Sequence, residues 1–308
     1  MLTVLWAAEE ARWPAWQAAL ERELAGIARI LHEAPDPAAV DAILYAPNDA
    51  FTDFSPYVRA RLVQSLWAGV ETISGNPTLT QPLARMVDPG QTEAMCDYCL
   101  GWALRLHLGM DRYAQDGVWR NAMVPVPPLA RQRKVTVLGA GVLGGAVAQA
   151  LKAARFDVAA WSASGREVPG LPVFGGQQGL AEALGRAEIL VTLLPDTAET
   201  RDLLDSRRLA MLPEGAAILN PGRGTLIDEA ALLAALDSGR LGHAVLDVFR
   251  VEPLPPGHAF WAHPRVTVTP HIAAETVPAT AAMVVADNLR RLRDGRPLLH
   301  LVDRARGY

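Results

Sequence analysis

The sequence predicts an α/β fold in which a doubly wound parallel sheet is joined to a second, smaller α/β domain, and three observations predict it. Residues 134–154, KVTVLGAGVLGGAVAQALKAA, pass from a β-rich run through a glycine turn into small apolar residues at helical spacing. Apolar runs at 157–161, 189–194, 216–220, 243–248 and 266–269 alternate with helical stretches, the pattern of parallel strands covered on both faces. The segment before residue 101 instead mixes one helical stripe with short apolar runs.

Taken in order, residues 2–6 read as a strand, and Trp13, Trp16, Leu20, Leu24 and Ile27 form one helical stripe. Residues 40–45 and 61–66 read as further strands, with turn-rich PND and SGNP segments after them. An amphipathic helix over 93–113 leads through the proline-bearing stretch 123–133 to the glycine unit and serves as a connector. Beyond the glycine unit, Asp228 is placed to cap a helix that stops at Ser238-Gly239. A last amphipathic helix, 280–293, follows the final strand of the sheet and crosses back to the N-terminal domain. The smaller domain is therefore predicted to be discontinuous, 1–101 with 278–308, around a larger domain at 102–277.

A chain of 308 residues with half of them hydrophobic suits two domains with proper cores. Its 29 Lys and Arg against 33 Asp and Glu, with no basic run interleaved with aromatics, leave no footprint for a nucleic acid. Acidic residues interrupt the N-terminus before a signal core forms, and no uncharged apolar segment is long enough for a bilayer. The expectation is a cytoplasmic protein with a small-molecule ligand and no membrane partner. The two cysteines, Cys96 and Cys99, lie inside a helix-like run and cannot complete a tetrahedral zinc site, so they are expected as buried thiols and no metal site is expected.

The glycine unit carries chemistry. Gly139 permits a tight turn, Gly141 lets phosphate oxygens approach bare backbone, and Gly144 lets the following helix lie close to the sheet. That helix opens with Val142 and Leu143, where free N–H groups and the dipole attract the pyrophosphate of a dinucleotide. Ligands of an open parallel sheet gather at the carboxyl ends of its strands. Asn220 and Arg223, Asp247, Glu252 and His271 all fall there. Singly, each fits a structural role as a surface arginine, a helix cap, a solvated carboxylate or a loop histidine; their joint placement on one edge favours a site.

Three segments, LNPGRGTLIDEAAL, LDVFRVEPLP and TPHIA, resemble the signature blocks of the D-isomer-specific 2-hydroxyacid dehydrogenases, in order and suitably separated. The ending LVDRARGY and the short length resemble that family's glyoxylate/hydroxypyruvate reductase A branch. The resemblance is strong over 131–271 and diffuse over the first hundred residues. It implies a Rossmann-type sheet with a smaller flavodoxin-like substrate domain, and a homodimer. It also implies that Arg223 holds the substrate carboxylate and carbonyl, that His271 gives the proton when a 2-oxo acid is reduced, and that Glu252 orients His271. Those roles agree with the side-chain chemistry: a guanidinium fork matches two oxygens, and imidazole exchanges protons near neutral pH. The family further implies that Asp247 lies near the nicotinamide carboxamide. It implies too that the loop Trp67, Ala68, Gly69 and Val70 offers backbone N–H groups to the substrate carboxylate, and that Leu194 and Pro195 wall the adenosine side.

An NAD-selective enzyme usually carries Asp or Glu after its second strand, whereas this chain has Trp161, Ser162, Ala163, Ser164, Gly165 and Arg166 there. Two hydroxyls and an arginine suit a 2′-phosphate, so NADPH is the expected cofactor, with NADH as the other possibility. Two other readings compete with a reductase of glyoxylate, hydroxypyruvate or a similar small 2-oxo acid. One is a dinucleotide-sensing interaction protein, which has little use for a proton donor; the other is a dehydrogenase of a bulkier D-2-hydroxyacid, a matter for the smaller domain.

Overall fold

The computed structural model describes residues 1–112, 119, 126–304 and 307. The predicted helix end at Tyr113, residues 123–125 of the proline-bearing stretch and residues 305, 306 and 308 of the ending lie outside the described residues. Contacts divide the chain into two compact units, 1–91 with 275–308 and 92–274.

The smaller unit begins with β1 (Leu2–Ala7), α1 (Trp13–Leu24), β2 (Ala28–Leu31), β3 (Ala42–Tyr45), β4 (Val63–Ser65), the single turn α2 (Glu71–Ser74) and β5 (Leu83–Ala84). The five strands pair in parallel in the order β2-β1-β3-β4-β5, with β3 at the centre, and Ala84 of β5 adds an antiparallel bridge to Leu301. Every residue of β1 is buried, which is why its sequence is apolar apart from Thr3 rather than alternating. β2 and β5 escape the sequence reading because runs this short carry no measurable period.

The long helix α3 spans Pro89–Leu108 and starts ahead of the predicted residue 93. Asp88 explains the earlier start: its carboxylate accepts the N–H groups of Gly90 and Gln91, both at 3.1 Å, while Pro89 needs no partner in the first turn. Cys96 and Cys99 sit within this helix, Cys99 fully buried and Cys96 half-buried. Burial pushes both thiols up, away from the reactive thiolate range.

The larger unit continues with β6 (Lys134–Leu138), α4 (Val142–Ala153), β7 (Asp157–Ser162), β8 (Val173–Gly175), α5 (Gly176–Arg186) and β9 (Ile189–Thr192). It then adds α6 (Ser206–Leu209), β10 (Ala216–Asn220), α7 (Glu229–Asp237), β11 (Leu241–Leu246), α8 (Ala259–Ala262) and β12 (Val266–Val268). The strands form one parallel sheet ordered β12-β11-β10-β9-β6-β7-β8. This is the predicted doubly wound sheet, and its order reverses between β6 and β9, the point at which ligands of such sheets gather. Asp228 caps α7 as expected, accepting from Ala231 N at 3.0 Å. β11 lies two residues earlier than its predicted span of 243–248, so Asp247 is the first residue past the strand.

The chain ends in α9 (Pro278–Arg293), within the smaller unit. Ala281, Ala282, Val285, Ala286 and Leu289 share a core with Trp16, Leu20 and Leu24 of α1. Burying one such leucine contributes about 1.5–3 kcal/mol. The small residues of α9 let it lie close, and buried Asn288 donates to Gln64 Oε1 at 2.7 Å and accepts from Leu299 N at 2.8 Å, so no polar atom of its side chain goes unpaired. Among the described residues no helix is long and apolar enough to cross a membrane, and no group of three or more His, Cys, Asp or Glu is placed to hold a metal ion.

Candidate active site

The glycine turn joins β6 to α4 at the point where the strand order reverses. Gly139 has φ of 113°, and a Cβ there would lie 2.4 Å from Leu193 O. At Gly144 a Cβ would lie 1.8 Å from Gly139 O, so only glycine lets α4 press onto the turn. Gly141 differs: no atom lies within 4 Å of where its Cβ would be, and it precedes α4 without any side-chain cap. The N–H groups of Val142 and Leu143 therefore face an open cradle at a helix N-terminus, which fits a pyrophosphate.

At the end of β7, Ser162 Oγ accepts from Arg166 N at 2.8 Å, closing a turn that leaves Ser164 and the Arg166 side chain to solvent. Trp161, at the same strand end, packs into the core. Expected beside the cofactor, it is 4 % exposed within the main core of the larger unit, and its indole N–H donates to Gly176 O at 2.9 Å.

Two other strand-end residues also turn inward. Asn220 is 1 % exposed; its Oδ1 accepts from Thr192 Oγ1 at 2.6 Å and Gly222 N at 3.1 Å, and its Nδ2 donates to Arg223 O at 3.0 Å. Asp247 is 0 % exposed; Oδ1 accepts from Thr269 Oγ1 at 2.6 Å and Ile272 N at 3.0 Å, and Oδ2 accepts from Ala273 N at 2.9 Å. Both side chains are held by these internal bonds. Each shapes the loop that carries a charged neighbour, Arg223 in one case and His271 in the other.

Arg223 lies between two glycines that the packing demands. A Cβ on Gly222 would meet Thr192 O at 2.7 Å, and one on Gly224 would meet the Phe249 carbonyl carbon at 2.0 Å. The second of these close approaches brings the Arg223 loop against the segment that carries Glu252. Glu252 is held in turn, its Oε1 accepting from Phe249 N at 2.8 Å. Its Oε2 lies 2.7 Å from His271 Nδ1. A carboxylate only accepts, so Nδ1 carries the hydrogen and Nε2 is the imidazole atom left for chemistry. His271 has a φ of 54°, a left-handed conformation held by its N–H, which donates to Asp247 O at 2.9 Å and to Thr269 O at 3.1 Å.

Arg223, Glu252 and His271 line one recess of about 250 Å³. Among the wall residues that the sequence reading missed, the polar ones are Asp196, Thr225 and Arg250. Asp196 pairs with Arg201 at 2.8 Å; burial raises its carboxyl, but the Arg201 bonds and the nearby Arg223 charge outweigh burial and hold it below the usual range. A signal for it existed in its position directly after Leu194 and Pro195 at the end of a strand. Leu194 and Pro195 are half-buried, and Pro195 O accepts from Thr200 Oγ1 at 2.6 Å, which fixes the loop.

Residues 99–273 match the family profile of the D-isomer specific 2-hydroxyacid dehydrogenase, NAD binding domain. The chain is 40% identical over 261 residues to a glyoxylate/hydroxypyruvate reductase A from Salmonella heidelberg, an alignment covering 81% of this chain and 82% of the relative. The chain belongs to the D-isomer-specific 2-hydroxyacid dehydrogenases. Two solved members have the same fold. One, from Xanthobacter autotrophicus in complex with NADPH and MES, is 37% identical with a TM-score of 0.90 over 99% of each chain. The other, an NADPH-dependent glyoxylate/hydroxypyruvate reductase from Sinorhizobium meliloti in complex with NADP and sulfate, is 32% identical with a TM-score of 0.86 over all of both chains. Within the family this dehydrogenase belongs with the glyoxylate/hydroxypyruvate reductase A branch.

The candidate substrate loop of this dehydrogenase lies in the smaller unit and follows β4. Trp67 N donates to Ser65 Oγ at 3.1 Å, so that N–H is already used. Ala68, Gly69 and Val70 donate no backbone hydrogen bond among the described residues, and these three N–H groups are the ones available to a ligand.

Proposed function

We propose that this dehydrogenase reduces a small 2-oxo acid, glyoxylate or hydroxypyruvate, to the 2-hydroxy acid with NADPH as hydride donor. The observation that carries the reading is the 2.7 Å pairing of His271 Nδ1 with Glu252 in a recess shared with Arg223. Bound cofactor supplies hydride to the carbonyl carbon. Arg223 grips the carboxylate and draws electron density toward the carbonyl oxygen through a fixed fork of donors. Nε2 of His271 delivers a proton to that oxygen as negative charge builds there, and the Glu252 carboxylate fixes the orientation of the ring. The N–H groups of Ala68, Gly69 and Val70 are assigned to the substrate carboxylate.

Three features support NADPH: the open cradle at Gly141, the lack of a carboxylate between Ser162 and Arg166, and the cofactor of the Xanthobacter and Sinorhizobium relatives. Ser162 Oγ accepts from Arg166 N and still keeps its own hydrogen for a phosphate oxygen. The homodimer expected from the family and the cytoplasmic location expected from the sequence belong to the same proposal, the first checked by sedimentation velocity and the second by fractionation of cells that make the protein. The deciding assay follows NADPH oxidation by purified protein across a panel of 2-oxo acids. Turnover fastest with glyoxylate or hydroxypyruvate is expected; tight NADPH binding without turnover on any member of the panel would overturn the reading.

A further inference from the structure

Tyr98 stands on α3, far in sequence from the residues around the recess, yet its hydroxyl lies 2.7 Å from Thr269 Oγ1. Thr269 Oγ1 in turn lies 2.6 Å from Asp247 Oδ1. The direction of this chain of bonds is fixed by its last member. A buried carboxylate can only accept, so the Thr269 hydroxyl spends its hydrogen on Asp247, and its oxygen must accept from Tyr98. The Tyr98 hydroxyl is therefore a donor. Burial pushes this phenol up, so it keeps its proton over any ordinary assay range.

Asp247 is where the chain ends and the turn under the imidazole begins. Its carboxylate receives the N–H groups of Ile272 at 3.0 Å and Ala273 at 2.9 Å, and its carbonyl receives that of His271 at 2.9 Å. His271 is thus gripped on both flanks while it holds a left-handed φ of 54°, a conformation that a histidine keeps only when its surroundings impose it. Thr269 also accepts the His271 N–H on its carbonyl, at 3.1 Å. A threonine hydroxyl has several staggered positions, and a partner on each side selects one.

We propose that Tyr98 is a positioning residue for the acid–base pair: through Thr269 and Asp247 it holds the turn on which His271 sits. The proposal rests on the reductase reading for its kinetic consequence, and on the hydrogen-bond chain alone for its structural one.

The test combines kinetics with amide hydrogen exchange on the full-length protein. Tyr98→Phe keeps the ring and removes the donor. Its kcat should fall about tenfold, the scale of one lost hydrogen bond, with the KM for glyoxylate and the NADPH affinity each within about twofold of wild type. Exchange at Ile272 and Ala273 should speed up by a similar factor while amides in β6 and β10 stay protected. Thr269→Val should lose as much or more, Thr269→Ser should recover most of that loss, and Tyr98→Phe added to Thr269→Val should cost nothing further, because the two act in series. Wild-type kcat and unchanged exchange in Tyr98→Phe would overturn the proposal, as would losses that simply add in the double variant. Should the wild-type protein lack turnover altogether, the reductase reading fails, and exchange at Ile272 and Ala273 still decides whether Tyr98 holds the turn.

Discussion

At the carboxyl edge of the seven-stranded sheet stand Arg223, Glu252 and His271, whereas the same edge of the five-stranded sheet leads from β4 into the uncharged run Trp67, Ala68, Gly69, Val70. On the proposed reading, the larger unit offers side chains and the smaller one offers backbone. Each kind of contribution needs different support. A charged side chain must be aimed, so Asn220 and Asp247 are buried behind Arg223 and His271, and Gly222 and Gly224 let two loops touch. Backbone donors need only be left unpaired, and Ala68, Gly69 and Val70 have N–H groups that no described residue accepts. The larger unit should therefore punish changes of side chain, and the smaller unit should tolerate them while punishing the loss of an N–H.

The sharpest contrast sets His271→Gln against Trp67→Phe. Removing a general acid lowers kcat by about 10²–10⁴-fold, and His271→Gln should show that loss with NADPH binding intact, since the imidazole is not part of the glycine cradle. Trp67→Phe should leave both kcat and KM within about threefold of wild type, because its own N–H is already given to Ser65. Steady-state kinetics with a cofactor titration measure both. Comparable losses from the two variants would break the distinction between the units.

Gly69→Pro probes the backbone side directly. It deletes one donor, and a hydrogen bond to a charged group is worth about 1.5–3 kcal/mol, so KM for the 2-oxo acid should rise about 10–100-fold with a smaller change in kcat. Circular dichroism would confirm that the variant is folded. An unchanged KM would remove the loop from the substrate site.

The same contrast explains what was legible in the sequence. Gly139, Gly141 and Gly144 announce themselves because their spacing is local, and Arg223, Glu252 and His271 because charged types stand just past apolar strands. The inward packing of Trp161, Asn220 and Asp247 was not legible for the converse reason. A strand covered on both faces has no alternation to reveal which way its last side chains point, so position at a strand end was legible and direction was not. Gly222 and Gly224 meet Thr192 and Phe249, partners too distant in sequence to be inferred. The start of α3 is a different case: Asp88-Pro89 is a readable cap signal, outweighed in the sequence by the apolar spacing that begins later.

Within the larger unit, Arg166 separates cofactor choice from catalysis. Its guanidinium is exposed beside Ser162 and Ser164, so Arg166→Ala should lower the ratio of NADPH to NADH efficiency by about tenfold, the effect of one charged contact to phosphate, and leave the NADH rate unchanged. Efficiencies with the two cofactors, measured on one preparation, give the ratio directly. A parallel fall with both would show that the side chain supports the fold of the turn rather than the 2′-phosphate.

The smallest expected effect concerns stability and pH. Burial lowers His243, whose Nε2 lies 2.9 Å from Thr267 Oγ1, and burial with the Arg133 charge lowers His107; both belong to the larger unit. In the smaller unit burial, Arg85 and Arg291 lower only His300 among the described residues. A histidine with a depressed folded value refuses a proton that the unfolded chain accepts at its ordinary value of about 6.5. Unfolded protein then binds more protons, so the contribution to stability is complete above about pH 7 and is lost as pH falls through 6.5 toward the folded values. Melting temperature should therefore decline between pH 7.5 and pH 5.5, and hydrogen exchange should show the larger unit loosening first. Replacing His243 and His107 together by Asn should flatten that decline; an equal slope in the double variant would mean that acid acts elsewhere.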